Sequence, residues 1–585
     1  MSTSAPRRTV DLIDRRVGLL FGLVLLLLAL AVVRAVYLGT IRSSSLKAAA
    51  AVEHVDTVPI PAIRGEITDR SGVVLALSEA EDKLVADPYL IKRPQHVADE
   101  LASLLGQTPA ATLAALTKPH TGYSVLAASV PAATATKILD MGINGINEVP
   151  GERRVYPRGS EAAQAIGWTH SSGSGAAGLE NLFNKQLSGT SGTRRIVNDA
   201  LGKPIQVDTT KPMVPGKTLR LTISAPLQDE VEQVLANVGR EYAPKGATAI
   251  VTDPQTDQIL AVASWPSFNA NDVTSADLQS VGGELPATED QAVDFSYEPG
   301  STFKAVTVAG ALQDGVITPT TEFNIPPYLE AYGHTVSDAE PHGDEELNVG
   351  QILQVSSNIG AVKIGLKEGE DAFARWVNRF GFGKPTGVAL AGEQQGIIRP
   401  LSQYYGFEMY NLPFGQGEEV TPMQMVQAYD AIANGGVLRT PQLIESIGGK
   451  KVAEPKGKRI ISSQVAMQMR VMLRGVLADG GTASGAQIPG YDMAGKTGTA
   501  NVAINGKYSN SAFVASFIGM VPASKPKLVV AVVVDQPSKN SIYGGSVAAP
   551  AFQSIVGWAV PHFGINPCPS PCPPSAMASA TPNSL

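Results

Sequence analysis

From Val17 to Val33 the chain reads "VGLLFGLVLLLLALAVV", with no charged or strongly polar residue. Arg34 can extend its head toward water, so the apolar span runs on to Leu38. That gives 22 residues, against the roughly 20 a helix needs to cross a bilayer. Beyond it the pattern breaks into short pieces. "RGEITDRSGVVLALSE" places a turn, Asp69 to Gly72, between two short alternating strands. Residues 83–150 are alanine-rich, with starts such as "TPAATLAALTK", and predict helices, whereas glycine, serine and charge in 151–215 predict sheet and loop. At 246 the texture changes. "ATAIVTDPQTDQILAVASWP" predicts strand, turn and strand; "SAFVASFIGMV" and "KLVVAVVVDQP" predict a second strand pair, followed by a helix from Ala548 to His562. Between the pairs, Pro299 and Gly300 break the chain. Phe303, Ala305, Val306, Val308, Ala309, Ala311 and Leu312 then predict a helix apolar on most faces.

These elements predict an α+β chain. Its parts are a short tail (1–16), a transmembrane helix (17–38), an extended α+β pedestal (39–240), a domain with an antiparallel sheet built from both its ends around a helical subdomain (241–562), and a disordered Pro/Ser-rich tail (563–585). Charge refines this picture. Arg7, Arg8, Arg15 and Arg16 precede the span, which predicts a cytoplasmic N-terminus, a single-pass anchor in the cell membrane and an extracytoplasmic bulk. A cleaved signal peptide is the competing reading, but its apolar region is usually only about 7–15 residues. The net charge of −7 carries no basic footprint for nucleic acid. The two cysteines, Cys568 and Cys572, lie in the Pro-rich tail and imply neither a metal site nor a structural staple, with a small disulfide between them as the alternative. No metal or cofactor is expected.

Three short motifs carry the candidate chemistry. Ser301 and Lys304 lie three residues apart at the head of the apolar helix, on one face of its first turn. Burial disfavours an ammonium, so a lysine there becomes a base able to activate the serine hydroxyl. A lone Ser-x-x-Lys is usually a surface pair with the lysine snorkelling, and Ser44–Lys47 and Ser524–Lys527 fit the pattern equally well. Ser356 and Asn358 form a polar break between apolar segments, "QILQVSSNIGAVKI". Ser-x-Asn is also a common turn, but these flanks would carry the hydroxyl inside, where it needs partners. Lys496, Thr497 and Gly498 form the only Lys-Thr-Gly, continued by Thr499 in a strand-rich region. Its glycine would let a ligand approach the backbone, although a turn between strands would read the same way.

In order, and separated by 55 and 140 residues (356−301 and 496−356), the three motifs form the set of penicillin-recognising acyl transferases. The stretches "RGEITDRSGVVLA", "GLENLFNKQLSGTSG", "EPGSTFK", "VSSNIGAVKIG", "FGFGKPTGVALAGE" and "YGGSVAAPAF" add to this. Over roughly residues 57–560 the chain resembles a class B penicillin-binding protein of the cell-division (septal, FtsI-like) type. "GQGEEVTP" departs from the family's usual small apolar residue by its acidic pair, Glu418 and Glu419. The resemblance implies a pedestal of the dimerisation type and a penicillin-binding transpeptidase domain. It implies a serine-type peptidoglycan D,D-transpeptidase that cross-links stem peptides ending in D-Ala-D-Ala through a Ser301 acyl-enzyme. In that reading Lys304 is the base, Ser356 carries the proton to the leaving group, and Asn358, Lys496, Thr497, Gly498 and Thr499 bind substrate. The implied partners are stem peptides, β-lactam antibiotics, a membrane glycan polymerase and divisome proteins. Alternatives remain: an elongation-type transpeptidase, a D,D-carboxypeptidase or β-lactamase built on the same site, and an acylated sensor. A Ser-His-Asp hydrolase fits poorly, because seven histidines are scattered and no G-x-S-x-G elbow occurs.

Overall fold

A computed structural model describes residues 8–44, 55–198, 204–280, 285–504 and 506–568. The sequence expectations for the first seven residues, for Cys572 and for the tail beyond Cys568 lie outside these. The chain divides into two compact units. The smaller holds the helix Arg8–Thr40 and an antiparallel sheet of Val55–Ile60, Gly192–Asn198 and Pro204–Lys211, in that order. Leu19, Leu23, Leu26 and Leu30 of the helix project outward with no protein cover, and its stretch Arg15–Thr40 is long and apolar enough to span a bilayer.

The larger unit contains the rest, built around two large sheets with three two-stranded ones beside them among the described residues. In the first, Val74–Ala86 is flanked by Ser124–Pro131 and Ile146–Val155, and its other edge runs through Ile67–Thr68 and Leu219–Leu221 to Ile444–Ile447. Here the helical expectation for 83–150 fails in part. Pro94–Leu105, Pro109–Leu116 and Ala132–Leu139 are helices, but "SVLAASVP" is a strand, because hydrogen bonding to Val74–Ala86 and packing of Leu126 and Val130 into a local core outweigh alanine's helical preference.

Beneath this sheet lies a buried ion network. The Glu180 carboxylate accepts from Arg64 Nε at 2.6 Å and Arg154 Nε at 2.7 Å, and Arg64 also donates to Asn184 Oδ1 and Ser188 Oγ. All three charged side chains are almost wholly shielded from water. Breaking such a set strands two guanidinium groups. Glu180→Ala should therefore lower unfolding free energy by about 3–5 kcal/mol, measured by denaturant titration of the detergent-extracted full chain; a loss below about 1 kcal/mol would mean the network is solvated.

The second sheet is five-stranded and antiparallel, in the order Gln258–Trp265, Gly246–Asp253, Leu528–Asp535, Lys507–Val521, Ala494–Ile504. Its first two and last three strands come from opposite ends of the domain, as the apolar pattern predicts. The run "LVVAVVV" has no polar alternation because both faces are covered. Val530, Val532 and Val534 pack with the helices Ala225–Tyr242 and Gly544–His562, while Val529, Ala531 and Val533 join the core around the helical subdomain. That subdomain is centred on the helix Lys304–Gln313, buried from Lys304 to Leu312. The chain after this domain stays attached at first: Ile565 is buried and the Cys568 N–H donates to Gly490 O at 2.8 Å. Among the described residues there is no free cysteine.

Candidate active site

Ser301 does not begin an α-helix directly. It sits on the 3-10 turn Gly300–Phe303, which feeds into the helix at Lys304, whose N–H donates back to the Ser301 carbonyl. Gly300 is in the left-handed region at φ 54° and donates its N–H to Gly415 O at 2.9 Å. A Cβ on Gly415 would lie 2.2 Å from Gly300 O, so only glycine lets the "FGQG" loop support the serine turn from below. Ser301 is half-buried.

Ser356 ends the helix Val349–Val355 in the left-handed conformation, φ 62° and ψ 40°. That conformation costs a non-glycine residue roughly 1–2 kcal/mol and redirects the chain, so that Ser357 can cap the next helix, Asn358–Glu368. The two helices thus meet at Ser356–Asn358 and present that corner to Lys304. Lys304 Nζ donates to Ser356 O at 2.6 Å, Asn358 Oδ1 at 2.8 Å and Ser356 Oγ at 3.3 Å. Among the described residues no hydrogen bond joins Ser301 Oγ to Lys304 Nζ, whose donors go to Ser356 and Asn358.

Lys496 lies on the edge strand Ala494–Ile504. Its Nζ donates to Ser356 Oγ at 2.8 Å and to Thr497 O at 3.2 Å. A Cβ on Gly498 would come within 2.3 Å of Ser516 Oγ and 3.1 Å of Pro299 O, so the glycine lets the edge strand close against the serine turn. Thr497 Oγ1 bonds Thr482 Oγ1 at 2.7 Å, and Thr499 Oγ1 accepts from Gly544 N–H at 3.0 Å. The structure therefore gathers the residues of all three motifs into one place, with Ser356 Oγ between the Nζ atoms of two lysines.

Both lysines are fully shielded from solvent. Burial pushes Lys304 down to about 7, against a smaller opposing pull from the Asp338 carboxylate. Lys496 is pushed well below the ordinary lysine range, first by burial and then by the nearby charge of Lys304. At neutral pH the pair thus holds less than its two formal charges, and each lysine can accept a proton as well as donate one.

Several residues at the site have no motif to announce them. Asp338 accepts from Ser357 Oγ and from the N–H groups of Asn358 and Ile359, and Thr482 faces Thr497. The acidic pair in "GQGEEVTP" is accommodated rather than exposed. Glu418 is buried with Tyr404 donating to Oε1 at 2.8 Å, and burial pushes its carboxyl up to about 7. No cluster of three or more His, Cys, Asp or Glu suited to a metal occurs among the described residues.

The sequence profile of the penicillin-binding protein transpeptidase domain matches residues 247–557, and that of the penicillin-binding protein dimerisation domain matches 59–221. The chain belongs to the penicillin-binding protein transpeptidase family. It is 31% identical to the peptidoglycan D,D-transpeptidase FtsI of Escherichia coli, covering 97% of this chain and 95% of that one. It is equally 31% identical to the stage V sporulation protein D of Bacillus subtilis (94% and 85%) and to the penicillin-binding protein PbpB of Mycobacterium tuberculosis (98% and 89%). Among solved structures, penicillin-binding protein 3 of Mycobacterium tuberculosis complexed with ampicillin superposes with a TM-score of 0.69 at 27% identity, covering 89% of this penicillin-binding protein and all of that chain. A peptidoglycan synthetase from Bifidobacterium adolescentis gives 0.70 at 27% identity, covering 88% and 98%. The α+β architecture with an antiparallel sheet and a helical subdomain is thus that of the family.

Proposed function

We propose that this penicillin-binding protein is a peptidoglycan D,D-transpeptidase in which Ser301 is the nucleophile, Lys304 its base and Ser356 the proton carrier to the leaving group. The observation that carries the reading is the hydroxyl of Ser356 held between two buried lysines, 2.8 Å from Lys496 Nζ and 3.3 Å from Lys304 Nζ. Ser301 Oγ attacks the carbonyl of the penultimate D-alanine, and its proton passes to Lys304. The C–N bond then breaks. The terminal D-alanine leaves as an amine, taking a proton through Ser356 from the lysine pair. An acceptor amine attacks the Ser301 ester, forms the cross-linking amide and returns the proton, so the enzyme ends as it began. Lys496, Thr497 and Thr499 hold the donor's terminal carboxylate, Asn358 holds a substrate amide, Gly498 keeps the strand close to the serine, and the N–H groups of Ser301 and Thr499 receive the developing oxyanion.

The domain boundaries proposed with this function are those of the sequence reading: a pedestal over 39–240 and a transpeptidase domain over 241–562. The four arginines ahead of the span support a cytoplasmic N-terminus with the catalytic domain outside, and protease added to spheroplasts should then remove that domain while leaving the membrane segment. Similarity to FtsI across nearly the whole chain, together with the Ser-Ser-Asn motif, supports a septal role with a glycan polymerase and divisome proteins as partners. Depletion should then give undivided filaments; widening or rounding without a division block would favour elongation.

Partition of the acyl-enzyme separates the transferase from its hydrolytic rivals. With a thioester analogue of the D-Ala-D-Ala donor and a D-amino acid as acceptor, the full chain should yield the amide in preference to the free acid. Exclusive hydrolysis at saturating acceptor would make it a carboxypeptidase.

A further inference from the structure

A carboxylate that the three motifs do not include sits behind the Ser356–Asn358 corner. Asp338 follows the short hairpin Leu329–Ala331/His334–Val336 and is folded onto the first turn of the helix Asn358–Glu368. Its Oδ1 accepts from the N–H groups of Asn358 and Ile359, two of the donors a helix start leaves unpaired, and its Oδ2 accepts from Ser357 Oγ at 2.6 Å. The neighbouring Ser337 carbonyl accepts from Asn358 Nδ2 at 2.9 Å, which turns Asn358 Oδ1 toward Lys304 Nζ. The fourth contact of Asp338 is His342 Nε2 at 3.2 Å from Oδ2. The other ring nitrogen of His342 lies 2.6 Å from Gly343 O. Both partners of the imidazole are acceptors, so the ring satisfies them together only when both nitrogens carry protons.

We propose that Asp338, held by His342, is a positioning residue that fixes the Ser356–Asn358 corner against Lys304, and that the Asp338–His342 pair sets the charge Lys304 faces from that side. The inference rests on the reading of Ser301, Lys304 and Ser356 as the reacting set. Asp338 alone favours the ammonium form of Lys304; Asp338 neutralised by a protonated His342 does not. The other groups acting on this set are Lys496 on the edge strand, on which the charge of Lys304 disfavours a second charge, and Glu345 at the start of the strand Glu345–Asn348, which favours charge on His342. The pair thus lowers the pH at which the base gives up its proton while the carboxylate still holds the corner.

The signs follow for two variants. Asp338→Asn removes the negative charge, so Lys304 gives up its proton more readily and the acidic limb of the acylation profile moves to lower pH. It also weakens the clamp, lowering the plateau rate by about tenfold or more. His342→Gln leaves Asp338 unneutralised, so the limb moves to higher pH. A residue that only supports the fold would not produce opposite shifts. The measurement is the rate of acylation of the detergent-extracted full chain by a chromogenic cephalosporin from about pH 5 to about pH 9, with thermal unfolding recorded for each variant. Opposite limb shifts of about half a pH unit or more support the proposal. Limbs unmoved, or moved in the same direction, overturn it. If Asp338→Asn does not fold, His342→Gln decides alone: an upward shift supports the pair and an unchanged limb sinks it. The wild-type adduct keeps this test separate from the site reading. An adduct on Ser301 with unshifted limbs overturns only the role of the pair, whereas an adduct elsewhere overturns the reacting set itself.

Discussion

Ser301→Ala should abolish turnover of the thioester donor, lowering kcat/KM by at least about 10⁴-fold, because no other group can hold the acyl intermediate. The site around the missing hydroxyl should survive. Its supports are the Gly300–Gly415 hydrogen bond, Tyr429 OH to Thr302 O at 2.8 Å and Thr302 Oγ1 to Pro299 O at 2.7 Å, and none involves the Ser301 side chain. Donor binding by the variant, followed by competition, should therefore stay within a few-fold of wild type. Residual turnover above about 1% of wild type would move the nucleophile to another residue.

Lys304→Met should slow acylation by about 10²–10⁴-fold, the usual contribution of a positioned general base. In the wild-type protein the rate should rise with pH as Lys304 loses its proton around pH 7 and should level off above that; in the variant this limb should vanish. Stability should move the other way. A lysine whose folded pKa lies below its unfolded value binds fewer protons when folded, so between pH 7 and its ordinary value near 10.5 the unfolded chain takes up protons that the native state does not. Native stability therefore rises with pH across that window, and below it the folded state bears the cost of burying an ammonium. Replacing Lys304 with a neutral side chain of similar length removes that cost, so the variant should gain more in melting temperature over wild type at pH 7 than at about pH 10. Thermal melts at the two pH values check the sign, and a variant that melted lower at both would show Lys304 to be stabilising.

The residues of the candidate site are legible in the sequence because each part carries a local signature: a lysine on an apolar helix, a polar break between apolar segments, and a glycine in a strand beside a lysine. The strand pairs at both ends of the domain were legible too, since "LVVAVVV" admits little but a strand covered on both faces. What escaped has no local signature. Asp338 lies in "TVSDAEPHGDEE", an acidic loop like any other, and acquires its role only when a hairpin carries it back to the helix start at Asn358. One signal was available: a helix beginning inside a core leaves N–H groups that need an acceptor, and Ser357 can satisfy only one of them. Thr482 is likewise defined by a partner 15 residues away across the fold. The strands Ser124–Pro131 and Ile146–Val155 were hidden by their alanine-rich surroundings, because pairing with Val74–Ala86 is a long-range event that composition does not record.

The claim that this family site works through a serine ester is tested most directly by mass. A penicillin incubated with the detergent-extracted full chain should add its whole mass once, and peptide mapping should place it on the segment containing Ser301. The adduct should persist for hours, because the opened lactam keeps its leaving nitrogen tethered over the ester and no carboxylate among the hydrogen bonds of Lys304, Ser356 and Lys496 is placed to deliver water. An adduct on any other residue, or one on Ser301 that turned over within seconds, would contradict the account.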